Sequence, residues 1–137
     1  MISIDTNILA RYAVKDDREQ AALATDFLGR NRCLVLKTGL LELVCVLSSP
    51  TGYNLPRETV IERLYHILGL PNVETEDATH VAQALIWYAG GMDFADALHL
   101  AGSVDLSGMA SFDRKFATLA EKLDAVPAVL LLQECAT

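Results

Sequence analysis

Short apolar runs alternate with amphipathic helical stretches along this chain, and that alternation restricts the fold more than any other feature. Residues 1–4 read as a short buried strand ending at Asp5. Thr6 and Asn7 are good cap residues, and Ile8, Leu9, Arg11 and Tyr12 suggest a short helix. After the polar break 15–17, a helix is expected over about 18–28, with Ala24, Phe27 and Leu28 facing inward. Residues 33–36 form a second apolar run, consistent with a buried strand. Thr38 and Gly39 open a helix whose Leu40, Leu43, Val44 and Leu47 share one face. Pro50-Thr51-Gly52 stops it, and Pro56 starts the next, where its missing N–H costs nothing. Val60, Ile61, Leu64, Ile67 and Leu68 give that helix an apolar stripe, which Gly69 and Pro71 terminate.

The second half continues the pattern. Residues 72–74 suit a short edge strand. A helix over 77–89 carries Ala78, Val81, Ala82, Leu85, Ile86 and Ala89 on its expected inner side, with Trp87 and Tyr88 as packing or subunit-contact residues. Gly90-Gly91 breaks it. Residues 108–112 read as a strand, 114–123 as a helix and 127–132 as a last strand. Strands alternating with helices imply a parallel sheet covered on both faces. The expected fold is α/β: a three-layer α/β/α sandwich with a central parallel sheet of four or five strands.

At 137 residues the chain suits a single domain spanning 1–137, and 52% hydrophobic residues supply ample core. No apolar run approaches membrane-spanning length. The start, MISID, shows neither a basic region nor a cleavage pattern, so no export signal is expected and the protein reads as cytoplasmic. Cys33, Cys45 and Cys135 are odd in number and widely spaced, which suggests reduced, mostly buried thiols. His66, His80 and His99 do not fall near them at ligand spacing, so no zinc site is expected. A net charge of -7 argues against a broad, general nucleic-acid-binding surface. It leaves room for an enzyme whose acids gather at a cation, because a bound ion reverses the local field.

The stretch MDFADALHLA, residues 92–101, carries the densest chemistry. Asp93 and Asp96 stand three apart, on one face of the helix that Ala97, Leu98, Leu100 and Ala101 continue. Like charges so placed raise each other's pKa unless something positive intervenes. The plainer reading is a helix cap and a first-turn acid favouring the dipole. His99, one turn on, reads as a rim or buried histidine with a local partner rather than a catalytic base.

Three more acids extend the pattern. Sites in open parallel sheets form outside the carboxyl ends of the strands. Asp5 ends the first strand, and Asp113 follows the strand over 108–112. Asp96 starts the helix before that strand, and Glu42 lies in the first turns of the helix after the second strand. All four are therefore expected on one edge of the sheet. Glu42 interrupts Leu40, Leu41, Leu43 and Val44, where a carboxylate is expensive unless paired or bound to a metal. Separately, Asp5 and Asp113 could each be a cap, and Glu42 could face solvent.

Four pieces, IDTNILARY, ELVCVLSS, DFADALHLA and ASFDRKF, occur in the order found in PIN-domain ribonucleases. The chain resembles that family over nearly its whole length, and within it the VapC toxins of toxin–antitoxin pairs. The resemblance implies a PIN-like domain and a metal-dependent endoribonuclease. It places the family's acidic quartet on Asp5, Glu42, Asp96 and Asp113, with Asp93 matching an extra acid that many members carry. These side chains would bind Mg²⁺ or Mn²⁺, hard ions suited to carboxylate and water ligands. Asp5 and Asp96 are the foremost candidates for direct ligands. Hydrolysis would leave a 5′-phosphate and a 3′-hydroxyl. Asn7 and Ser111 match polar positions near the site, and Arg11, Arg114 and Lys115 are candidates to hold RNA phosphates. The implied partners are RNA, a small antitoxin whose peptide carries an arginine to the acids, and a second copy of the chain, with the helix over 60–68 a candidate dimer surface.

Rival readings fit less of the sequence. An aspartyl-phosphate phosphatase using Asp5 wants a second acid two residues on, where Asn7 stands. A receiver domain wants an adjacent acid pair and a late lysine. A PIN nuclease that is not a toxin, or a non-catalytic PIN-like interaction module, remains open, though the module would have no need to retain all four acids.

Overall fold

The computed structural model describes residues 1–133. Cys135 lies outside them. By contact the chain divides into two compact units, Met1–Ala78 and Thr79–Thr137.

In the first unit three strands, β1 (Ile2–Ser3), β2 (Cys33–Val35) and β3 (Val73–Thr75), lie side by side in that order. Both pairings are parallel, with Ile2 opposite Cys33 and Leu34 opposite Glu74. The helices are α1 (Thr6–Val14), α2 (Arg18–Arg30), α3 (Lys37–Ser48) and α4 (Arg57–Leu68). α1 packs on α2, α3 and α4, and α4 also packs on β3. The expected faces form the core: Leu40, Leu43 and Leu47 of α3 and Val60, Leu64 and Ile67 of α4 are all but sealed from solvent.

Val60, Leu64 and Ile67 of the α4 stripe go into their own unit's core, while Ile61 and Leu68 stay half-buried. Two expectations need correction here. β1 is exposed at both of its residues, because it ends the strand order; the first buried side chain is Ile4, just past it. Of the two described thiols only Cys33 is buried; Cys45 is exposed. Burial pushes the Cys33 thiol pKa up, which keeps it protonated and inert.

In the second unit α5 (Ala78–Ala89) and α6 (Phe94–Gly102) precede β4 (Met109–Ser111), α7 (Arg114–Lys122) and β5 (Val129–Leu131). β4 and β5 pair in parallel, with Ser111 opposite Leu131, and α7 packs on β5. Tyr88 of α5 meets Phe94 of α6 edge to face, ring centroids 5.6 Å apart. Gly91, at φ +108°, supplies the left-handed turn between these helices, a conformation that side chains disfavour.

α5 buries Val81, Ala84, Leu85, Trp87 and Tyr88, whereas Ala78, Ala82, Ile86 and Ala89 are exposed. The inner face is thus rotated from the expected one: bulky Trp87 and Tyr88 take the core, and alanine fits either side. Within each unit the strand pairings are parallel as expected, but among the described residues hydrogen bonding groups the strands as three and two, smaller than one sheet of four or five. Strands of two or three residues offer few backbone groups to extend a ladder.

Candidate functional site

In the first unit the chain leaves β1 at Asp5 and turns at once into α1. Asp5 occupies the N-cap position, and its carbonyl accepts from the Ile8 and Leu9 amides. Its exposed carboxylate makes no capping hydrogen bond, so capping does not account for it. Thr6, by contrast, is buried, and its hydroxyl donates to Glu42 Oε2 at 2.9 Å. Gly39 O of the same helix lies 3.4 Å from that hydroxyl. α1 and α3 are thereby joined at their N-terminal ends, with the Glu42 carboxylate held by one oxygen.

Glu42 itself is exposed. Contrary to expectation, Glu42 therefore does not sit in a costly apolar setting. Its sequence neighbours are apolar, but the helix turns Leu40, Leu43 and Val44 inward and Glu42 outward. Thr6 is the residue that sequence reasoning overlooked. The available signal was a hydroxyl directly after the strand-ending acid, where it reads as an ordinary cap.

Asn7 is exposed on α1 and lines a groove between α1 and α2 together with Arg11, Gln20 and Phe27. Arg11 is already engaged. Its guanidinium donates to both Asp16 oxygens at 3.0 Å and reaches the Tyr53 hydroxyl at 3.3 Å. Tyr53 in turn donates to Asp16 at 3.1 Å. The bond to Asp16 pushes the Arg11 pKa further up, and Arg11 lowers that of Asp16.

In the second unit α6 and α7 each start at an acid. The Asp93 side chain accepts from the Asp96 amide at 3.2 Å and caps α6. The Asp113 side chain accepts from the Phe116 amide at 3.1 Å and caps α7. Ser111 Oγ accepts from the Asp113 amide at 3.0 Å, fixing the step from strand to helix. The plainer reading of Asp93 and Asp113 as caps is therefore correct as far as it goes, but a cap uses only part of a carboxylate.

Asp96 carries no cap. It is half-buried, and its pKa is raised first by that burial, then by the charges of Asp93 and of Asp113; His99 pulls it back. Three acids of this unit thus share one field, and the least solvated is the one the others oppose. His99 is exposed. Arg114 donates to Gln133 at 2.7 Å, and Lys115 is exposed on the same first turn of α7.

Among the described residues no group of three or more His, Cys, Asp or Glu side chains is arranged to hold a metal ion. The donors are nonetheless of the right chemistry for a hard divalent ion. Such ions keep much of their water and need only one or two carboxylates. Burial and two neighbouring acids make the charged form of Asp96 less favourable than usual, and an added cation would offset that.

Among the described residues no helix is long and apolar enough to cross a membrane. The family model described as PIN domain matches residues 2–122, a span containing every acid above. No curated protein and no solved structure matches the chain. PIN domains are typically nucleases that hydrolyse phosphodiester bonds, usually with divalent metal ions. A match over so much of the chain, on parallel strands alternating with helices, means that this chain belongs to the PIN domain family.

Proposed function

We propose that this chain is a metal-dependent endoribonuclease, the toxin of a VapBC-type toxin–antitoxin pair, with Asp5, Glu42, Asp96 and Asp113 as its catalytic carboxylates. The observation that carries the nuclease reading is the state of Asp96, half-buried and opposed by two further acids within a PIN domain. The toxin reading rests on the likeness of the four sequence pieces to VapC proteins.

Asp5 and Asp96, with Asp113 and Glu42, would hold Mg²⁺ or Mn²⁺, and Asp93 would add charge beside them. When bound, the ion makes water a stronger nucleophile at neutral pH and screens the phosphodiester. The remaining work falls to side chains. Thr6 holds Glu42 by Oε2, leaving Oε1 to orient the attacking water or take its proton. Ser111 and the α7 cap fix Asp113 against rotation. Arg114 and Lys115 supply cations beside the acids for RNA phosphates. Asn7 and Arg11 extend substrate contact along α1, Arg11 once it exchanges Asp16 for a phosphate. A single-domain, cytoplasmic homodimer bound by a small antitoxin completes the proposal. An arginine of that antitoxin would be drawn to the Asp93, Asp96 and Asp113 field.

The test is cleavage of total RNA by the full chain with Mg²⁺ or Mn²⁺, with EDTA, and by the Asp5→Asn and Asp96→Asn variants. Cleavage should require the ion and both carboxylates. Full activity in EDTA would exclude the metal mechanism, and phosphate trapped covalently on Asp5 would favour a phosphatase instead. Co-purification of a small partner with the chain from its own host separates a toxin from a stand-alone nuclease.

A further inference from the structure

Phe112 is the most exposed large apolar side chain among the described residues, at 79%. It sits between β4 and α7, directly before Asp113. Single exposed apolar residues are common and by themselves mean little. Two features set this one apart.

The first is rigidity. The Ser111 carbonyl accepts from the Leu132 amide at 2.8 Å, and Ser111 Oγ accepts from the Asp113 amide at 3.0 Å. On the far side the Asp113 carbonyl and carboxylate accept from the Ala117 and Phe116 amides at 3.1 Å. The backbone is therefore pinned on both sides of Phe112, and the ring has only its own two torsions to lose on binding.

The second is its company. Asp113, the next residue, shares a field with Asp96, while Arg114 and Lys115 are exposed just beyond. An aromatic anchor for a protein partner belongs at the apolar centre of a patch, ringed by other contacts. Along the chain Phe112 is instead flanked by a hydroxyl, a carboxylate and two cations, and the exposed apolar residue Leu132 is tied to this segment through its amide to Ser111. A rigid ring beside cations is how single-stranded nucleic acid is held: bases stack on the ring, and the cations follow the backbone. Stacking needs a base already free of its own duplex neighbours.

We propose that Phe112 is a stacking platform for an unpaired RNA base next to the Asp113 end of the site. This deepens the nuclease reading and rests on it. Because every base has a π-face, the platform selects single strands over duplexes rather than one sequence over another.

The experiment measures binding without cleavage. The full chain carrying Asp96→Asn is titrated, in EDTA and low salt, into a single-stranded RNA oligonucleotide containing 2-aminopurine, whose fluorescence is quenched on stacking. Phe112→Ala and Phe112→Leu, added to that background, should each weaken binding roughly tenfold and abolish the quench, whereas Phe112→Trp should keep both. A duplex of the same sequence should bind no more weakly to Phe112→Ala than to its parent. Leucine serving as well as phenylalanine would overturn stacking in favour of simple apolar contact. Unchanged RNA binding by Phe112→Ala, with loss of self-association or of a co-purifying protein, would make the ring a protein contact instead. If the otherwise wild-type chain cuts RNA and Phe112→Ala is indifferent in both assays, the platform alone falls. If RNA is bound through Phe112 but never cut, the platform stands and the nuclease reading falls. An absence of any single-strand binding overturns the platform, and cleavage by the otherwise wild-type chain then decides the nuclease reading. Thermal melting of each variant checks the fold, which an exposed side chain should leave intact.

Discussion

The Thr6 hydroxyl donates to Glu42 Oε2 at 2.9 Å, joining residues 36 positions apart and tying the start of α1 to the first turns of α3. Thr6 is buried while Glu42 is exposed, so the anchor is fixed and the carboxylate is the part presented to solvent. Replacing Thr6 by valine keeps the volume and removes the donor. Stability should fall by about 0.5–1.5 kcal/mol, since Glu42 can find water instead. Activity should fall further, through kcat more than KM, because the glutamate loses its orientation. Urea melts alongside steady-state cleavage assays check both. An unchanged kcat would remove Glu42 orientation from the mechanism.

Asp113 combines two duties that substitution can separate. As a cap it needs a side-chain acceptor; as a cation ligand it needs charge. Asp113→Asn should keep most of the cap and nearly all stability while abolishing cleavage. Asp113→Ala should abolish cleavage and also lose about 1 kcal/mol of stability. Thermal melts in ion-free buffer compare the two. Asparagine retaining high activity would show that the cap is the whole role.

Helix faces were legible in the sequence where branched or long apolar residues recur at helical spacing, as in Leu40, Leu43, Val44 and Leu47 of α3. Ends were legible where Pro56 and Gly69 bracket α4. Alanine misled: at 78, 82 and 89 it marks no face, and Ala84 with Tyr88 took the buried side of α5. Glu42 was read from its linear neighbours, which a helix scatters around its axis; with Cys45, three residues on, it lies outward. The acids of the candidate site were visible because charged residues beside apolar runs stand out. Thr6 was not, because a threonine at a helix start has a commonplace explanation, and its partner is 36 positions away.

Arg11 and Asp16 offer a test of substrate contact. Each is on the surface, and exposed ion pairs contribute little to stability. Asp16→Asn should therefore leave the melting temperature nearly unchanged. It also frees the guanidinium and removes a negative charge from a chain at -7. If Arg11 receives RNA phosphates, KM should fall about two- to threefold at low salt, and the gain should fade as salt rises. The same change in an Arg11→Ala background should then do much less. An equal gain with and without Arg11 would point to net charge alone.

Asp96 ties stability, pH and ion binding together. Its carboxyl is raised first by burial, then by Asp93 and Asp113. A carboxyl with a higher pKa in the native than in the unfolded state binds more protons when folded. Its contribution to stability is complete below the unfolded value of about 3.9 and is lost as pH rises through the native value. In ion-free buffer at neutral pH, Asp96→Asn should therefore melt higher than the parent chain, and the difference should vanish once pH falls below about 3.9. Mg²⁺ or Mn²⁺ should reverse the order. At about tenfold excess over its Kd the ion should raise the melting temperature of the parent by roughly 5 °C and that of Asp96→Asn far less. Carboxyl-carbon NMR titration locates the cause. Asp93→Asn, which preserves a capping acceptor, should lower the Asp96 midpoint yet leave it above the ordinary aspartate value, because burial is the larger influence. A midpoint indifferent to Asp93 would mean that the acids of α6 do not share a field, and the cation would lose its chief attraction.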